Sequence, residues 1–217
     1  MKTLIFTSSD KILIMCLLVF SQNLLLNAQI LPDGTLDNKE LENMELVVEE
    51  GINKLYIKET KEYFYVSVKT EEIYVASLCV CNGSSISVLH ASAALGKLNY
   101  EKSEDNIWNT NESFVWEMRE KGFSPEEIDK RKEYLDKNGW VASTMEMGKI
   151  GETEFVISKE WLSEKPRFAI GLMPASLPEN TFSLPIKNSL ACGNHSLVSG
   201  EPKSNYSFTP IHWVILE

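Results

Sequence analysis

Trp108 is the residue whose setting points most directly to chemistry. It lies in Ser103-Glu104-Asp105-Asn106-Ile107-Trp108-Asn109-Thr110-Asn111, an otherwise polar stretch. An indole face stacks on the C–H groups of a sugar ring, and neighbouring amides such as Asn106 and Asn109 bond its hydroxyls. Trp140, just after Asn138-Gly139, would form a second wall of such a platform. The competing expectation is that each ring plugs its own loop onto the domain core. Trp116 and Trp213 sit in alternating stretches and are expected to pack that way.

A second group of residues suggests a different ligand. His90 lies in Leu89-His90-Ala91-Ser92-Ala93-Ala94, where small neighbours let a flat group approach closely. That arrangement fits a haem, with Met145, Met147 or Met173 as second axial ligand. Met145-x-Met147 together with Cys79-x-Cys81 offers soft sulfur donors for copper. The plainer expectations are a hydrogen-bonded core histidine and gap-filling methionines.

Positive signs of catalysis are lacking. The chain has no Gly-x-Ser-x-Gly elbow, P-loop, His-Glu-x-x-His or Gly-x-Gly-x-x-Gly. Its obvious carboxylate pairs, Glu49-Glu50, Glu71-Glu72 and Glu126-Glu127, are adjacent in sequence. Neighbours on a strand point to opposite faces, and on a helix they diverge by roughly 100°, so neither geometry makes a facing dyad. The expected activity is therefore binding without catalysis.

The elements that would carry these residues begin after an export leader. Lys2 and Lys11 precede the apolar run Ile12–Phe20, and a second patch ends at Ala28. Basic, then apolar, then small is the order that secretion machinery reads, and cleavage is expected after Ala28. The polar break Ser21-Gln22-Asn23 leaves either patch short of the roughly 20 apolar residues of a membrane span. The product is expected to be secreted or periplasmic, with no membrane insertion after cleavage.

The whole chain carries a net charge of −10, and losing Lys2, Lys11 and Asp10 makes the remainder one unit more negative. Such a surface repels phosphate backbones and anionic headgroups, so nucleic acid is not an expected partner. A glycan or another small ligand is. Cys16 leaves with the leader; Cys79, Cys81 and Cys192 remain. Cys79 and Cys81 share a strand face at a spacing unsuited to a mutual bond, so either Cys192 pairs with one of them or all three stay as small buried hydrophobes. Asn-x-Ser sequons stand at Asn82, Asn111, Asn194 and Asn205.

Residues 29–45 are polar, contain Pro32-Asp33-Gly34, and are expected to form an irregular arm. From residue 46 to 217 strand signals dominate. Lys54–Lys58 alternates, Tyr63–Val68 is aromatic and β-branched, and Ile73–Cys81 is apolar enough for a strand buried on both faces. Asn82-Gly83 turns the chain into Ser85–His90. Further strands are expected at Phe114–Arg119, Trp140–Met145, Glu154–Ser158, Arg167–Met173 and Ile211–Leu216. One helix is signed at 124–138: Ser124-Pro125-Glu126-Glu127 caps its start and Asn138-Gly139 ends it. Its narrow apolar stripe marks a surface helix. The expected fold is an all-β antiparallel sandwich of immunoglobulin-like or jelly-roll type with one peripheral helix.

In element order the chain resembles the β-sandwich family that includes family 9 carbohydrate-binding modules and DOMON domains. Tyr63-Phe64-Tyr65-Val66-Ser67-Val68-Lys69-Thr70 and Ile86–Gly96 carry the resemblance, with Glu154–Ser158 and Arg167–Met173 fitting later strands. It implies a sugar or a haem as ligand. The leading expectation is a non-catalytic carbohydrate-recognition module using Trp108, Asn106, Asn109 and Trp140. The alternative is a small secreted haem or metal protein using His90, Met145, Met147, Met173, Cys79 and Cys81.

Overall fold

The alternating stretches form two antiparallel sheets in a computed structural model. It describes residues 31–71, 74–92, 94–110, 115–118, 124–144, 151–174, 181–185, 192, 205–206 and 208–216. In chain order the strands are β1 (Glu45–Glu50), β2 (Asn53–Glu59), β3 (Tyr63–Lys69), β4 (Tyr74–Asn82), β5 (Ser85–Ala91), β6 (Leu95–Lys102) and β7 (Trp108–Asn109). They continue as β8 (Val115–Met118), β9 (Trp140–Thr144), β10 (Glu152–Ser158), β11 (Arg167–Pro174), β12 (Phe182–Leu184) and β13 (Asn205–Tyr206). The α-helices among the described residues are α1 (Asn38–Leu41) and α2 (Pro125–Asn138). The first sheet runs β1-β2-β3-β10-β9. The second runs β12-β11-β4-β5-β6-β7-β13, with β8 also paired to β6. This is the expected sandwich with a peripheral helix. No helix among the described residues is long and apolar enough to cross a membrane.

Alternation decides which residues meet between the layers. Phe64, Val66 and Val68 of β3 lie opposite Ile157, Phe155 and Thr153 of β10, so they share one face. Phe64 meets Phe168 of β11 with ring centroids 5.3 Å apart, which places that face against the second sheet. Leu78, Ile170 and Leu172 complete this inner layer and are fully buried. Each such side chain contributes roughly 1.5–3 kcal/mol through burial.

The opposite face of the second sheet is buried as well. Cys79 and Cys81 of β4, Val88, Leu98 and Tyr100 pack with Phe208 and Trp213 from the end of the chain. This second core explains why β4 is apolar without alternation. A disulfide joins Cys79 to Cys192 across a separation of 113 residues with Cα atoms 5.8 Å apart, and Cys81 stays unbridged and buried. Of the two pairings open from spacing, the structure has the Cys79 one.

Helix α2 follows its sequence signals closely. Ser124 accepts from the Glu127 N–H at 3.3 Å, Glu127 reaches back to the Ser124 N–H, and Gly139 ends the helix at φ 69°. One member of the charged middle departs from the expected surface role. Arg131 is buried, and its Nη2 donates to the Pro32 carbonyl at 2.8 Å and to that of Ala142 at 3.4 Å.

That arginine docks the arm expected to be irregular. In its described part, Asp33 and Gly34 donate their N–H groups to Glu154 Oε2 at 3.1 and 2.7 Å. Leu36 is buried and donates its N–H to Glu152 Oε2 at 2.8 Å. The short α1 then opens with an Asp37–Glu40 capping box. The segment is a strap, ordered by partners distant in sequence. The expected strand at Ile211–Leu216 is also corrected. Pro210–His212 forms a 3-10 turn, since Pro210 has no N–H for a ladder, and pairing shrinks to a single Phe168–Val214 bridge.

Two predictions follow from the bridge and the strap. Alkylating residues 29–217 unfolded but unreduced should mark Cys81 alone by mass spectrometry, and Cys192→Ser should cost about 2–4 kcal/mol of stability. Marking of Cys79 would contradict the pairing. Burial, with Glu40 and Asp33 adding to it, holds the Glu154 carboxyl up at about 8 against the pull of its two N–H donors. The folded state therefore binds the extra proton between the ordinary value of 4.5 and about 8, and stability falls as pH rises through that window. Glu154→Gln should flatten this slope in melting curves taken at several pH values; an unchanged slope would contradict the assignment.

Candidate functional site

The rings expected to form a sugar platform point inward. Trp108 is only 3 % exposed, and its ring meets Phe208 edge-on at 6.2 Å between centroids. Strand alternation is the reason: β7 turns Trp108 into the second core while Asn109 faces solvent. Asn106 is exposed and occupies the turn before it with φ 62°, a conformation asparagine tolerates. Trp140 is fully buried, opposite Ile157 in the first sheet and edge-on to Tyr134 at 5.7 Å. Asn106 and Asn109 thus have no exposed Trp108 face between them, and Trp140 is not a second wall. Both tryptophans are plugs.

The described metal and haem residues are not gathered either. Cys79 is consumed by its disulfide, so the Cys-x-Cys clamp does not exist. Burial raises the pKa of the remaining thiol, Cys81, against the opposing charges of Arg167 and Lys102. His90 is 1 % exposed, with Nδ1 3.0 Å from Ser77 Oγ, and burial pushes its pKa down to about 4. It is a neutral core histidine. Met173 lies on β11 opposite Val75, while His90 lies on β5 beyond β4. Met145 and Met147 fall outside the described residues. No group of three or more His, Cys, Asp or Glu among the described residues is disposed to hold a metal ion.

Among the tryptophans whose side chains are described, the exposed one is Trp161, 40 % accessible, in the 3-10 turn Lys159–Trp161 that follows β10. Several contacts fix this turn. The Lys159 N–H donates to the Glu62 carbonyl at 2.8 Å. Its ammonium pairs with Glu59, donates to the Thr60 carbonyl at 3.2 Å, and sits 5.2 Å from the Phe64 ring centre. Asn82, at the end of β4 in the other sheet, donates from Nδ2 to the Trp161 carbonyl at 3.0 Å and accepts the Ser163 N–H at Oδ1. The sequon amide of Asn82 is thereby a structural clamp. The indole lies directly against Gly139, where a Cβ would collide with the ring. Lys97 Nζ stands 4.0 Å from its centroid.

Beside this ring is a cleft of about 480 Å³ lined by Lys61, Glu62, Tyr63, Leu135, Asp136, Gly139, Ser158, Lys159, Glu160 and Trp161. That volume falls within the roughly 300–1,000 Å³ of small-ligand sites. Tyr63 is half-buried in its wall. Burial raises its phenol pKa, helped by the carboxylates of Asp136, Glu62 and Glu160. The cleft therefore combines two partly exposed aromatic rings with carboxylate acceptors, on a frame set by both sheets and the end of α2.

Sequence reasoning assigned Trp161 no role. Its surroundings, Lys159-Glu160-Trp161-Leu162-Ser163-Glu164-Lys165, are as polar as those of Trp108. What separates the two is position relative to a strand, since β7 captures Trp108 and β10 stops before Trp161.

No protein-family model, curated protein or solved structure matches the chain.

The burial of Trp108 makes a direct prediction. Trp108→Ala should destabilise the domain by roughly 3–5 kcal/mol, as for other buried tryptophans, and lower its melting temperature accordingly. Near-parental melting would return Trp108 to the surface.

Proposed function

We propose that this domain is a secreted, non-catalytic recognition module that binds a glycan in the cleft between Trp161 and Tyr63. The observation that carries the reading is the pairing of these two partly exposed rings around one cleft rimmed by Glu62, Asp136 and Glu160. Aromatic surface packs on sugar C–H groups, and carboxylates accept from sugar hydroxyls. Lys97 covers part of the indole, so the sugar meets the remaining exposed part of Trp161 and the Tyr63 side of the cleft. The resemblance to family 9 carbohydrate-binding modules supports the same ligand class. A disulfide suits the oxidising compartment that the leader implies.

A glycan array probed with the leaderless protein tests this. We expect at least one glycan to bind and Trp161→Ala to weaken it by about 1–3 kcal/mol, the scale of aromatic anchors, while melting stays well above that of Trp108→Ala. An array without ligands, or a glycan bound equally by Trp161→Ala, would contradict the proposal.

A further inference from the structure

The cleft beside Trp161 is lined by more carboxylates than lysines. Glu62, Asp136 and Glu160 line it, and Lys61 is one of two lining lysines. Lys159, the other lining lysine, is committed to Glu59, the Thr60 carbonyl and the Phe64 ring. The last turn of α2 contributes Leu135 and Asp136, so the partially negative carbonyl end of a helix adds to the same sign. Aromatic faces are electron-rich and attract ammonium groups. The Lys97 ammonium, 4.0 Å from the Trp161 ring centre, already takes that position, so the Tyr63 ring is the aromatic surface left for a ligand amine.

Resting on the reading that the cleft takes a glycan, we infer that its ligand is an amino sugar whose protonated primary amine lies among Asp136, Glu62 and the Tyr63 ring. Acidic sugars are repelled by the same carboxylates. N-acetylation removes the charge and leaves only the stacking and hydroxyl contacts.

The test is calorimetric titration of the leaderless protein with an oligomer of glucosamine and with its N-acetylated counterpart. The amine form should bind about 10-fold tighter at low salt, and added salt should narrow the gap because the attraction is screened. Asp136→Asn should weaken the amine form about 5-fold more than it weakens the acetylated form, a split that a purely structural role for Asp136 would not produce. Equal affinities, or tighter binding of the acetylated form, would overturn the inference while leaving glycan recognition standing. Binding of neither oligomer would overturn it too, and the glycan array then decides separately whether the module recognises other sugars.

Discussion

Strand β4 is buried on both faces, and the rest of the molecule is arranged around that constraint. Its Leu78 side packs against the first sheet, and its Cys79 side packs under the end of the chain. A strand in this position needs two covers. One is β3 and β10, with Phe64 against Phe168. The other is Phe208 and Trp213, close to which the Cys79–Cys192 bond ties the late chain. The bridge closes a long loop onto a central strand, where it restricts the unfolded chain most.

The two cores also determine which large rings reach the surface. They absorb Trp108, Trp140, Trp213, Tyr100 and Phe208, leaving few large rings exposed among the described residues. Trp161 escapes because β10 ends before it. Gly139 gives it room, and Asn82 holds its turn from the opposite sheet. The site is thus a product of how the sheets meet at one end. Asn82 and Lys159 hold the turn that carries the ring, so the fold itself orients the indole.

Much of this fold was legible in the sequence. Alternation at Lys54–Lys58, the aromatic and β-branched run Tyr63–Val68, the continuous apolar run at β4 and the capped helix at 124–138 each rest on local physical signals, and each formed as expected. The strap at residues 31–36 was not legible, because its order comes from Glu152, Glu154 and Arg131, more than ninety residues away. The candidate site failed for a related reason. A polar neighbourhood marks Trp108 and Trp161 alike, and only the two-residue alternation of β7, too short to recognise in the sequence, turns the first ring inward. Cys79 and Cys81 were equivalent by spacing, and the position of Cys192 in the folded chain distinguished them.

Ranking the tryptophans by accessibility tests the account most directly. Brief oxidation of the folded protein with N-bromosuccinimide, followed by peptide mapping, reads each indole separately. Trp161 should be modified well before Trp108, Trp140 and Trp213. Oxidation of Trp108 or Trp140 ahead of Trp161 would contradict the account, because it would place the exposed aromatic surface on the loops and not at the end of β10.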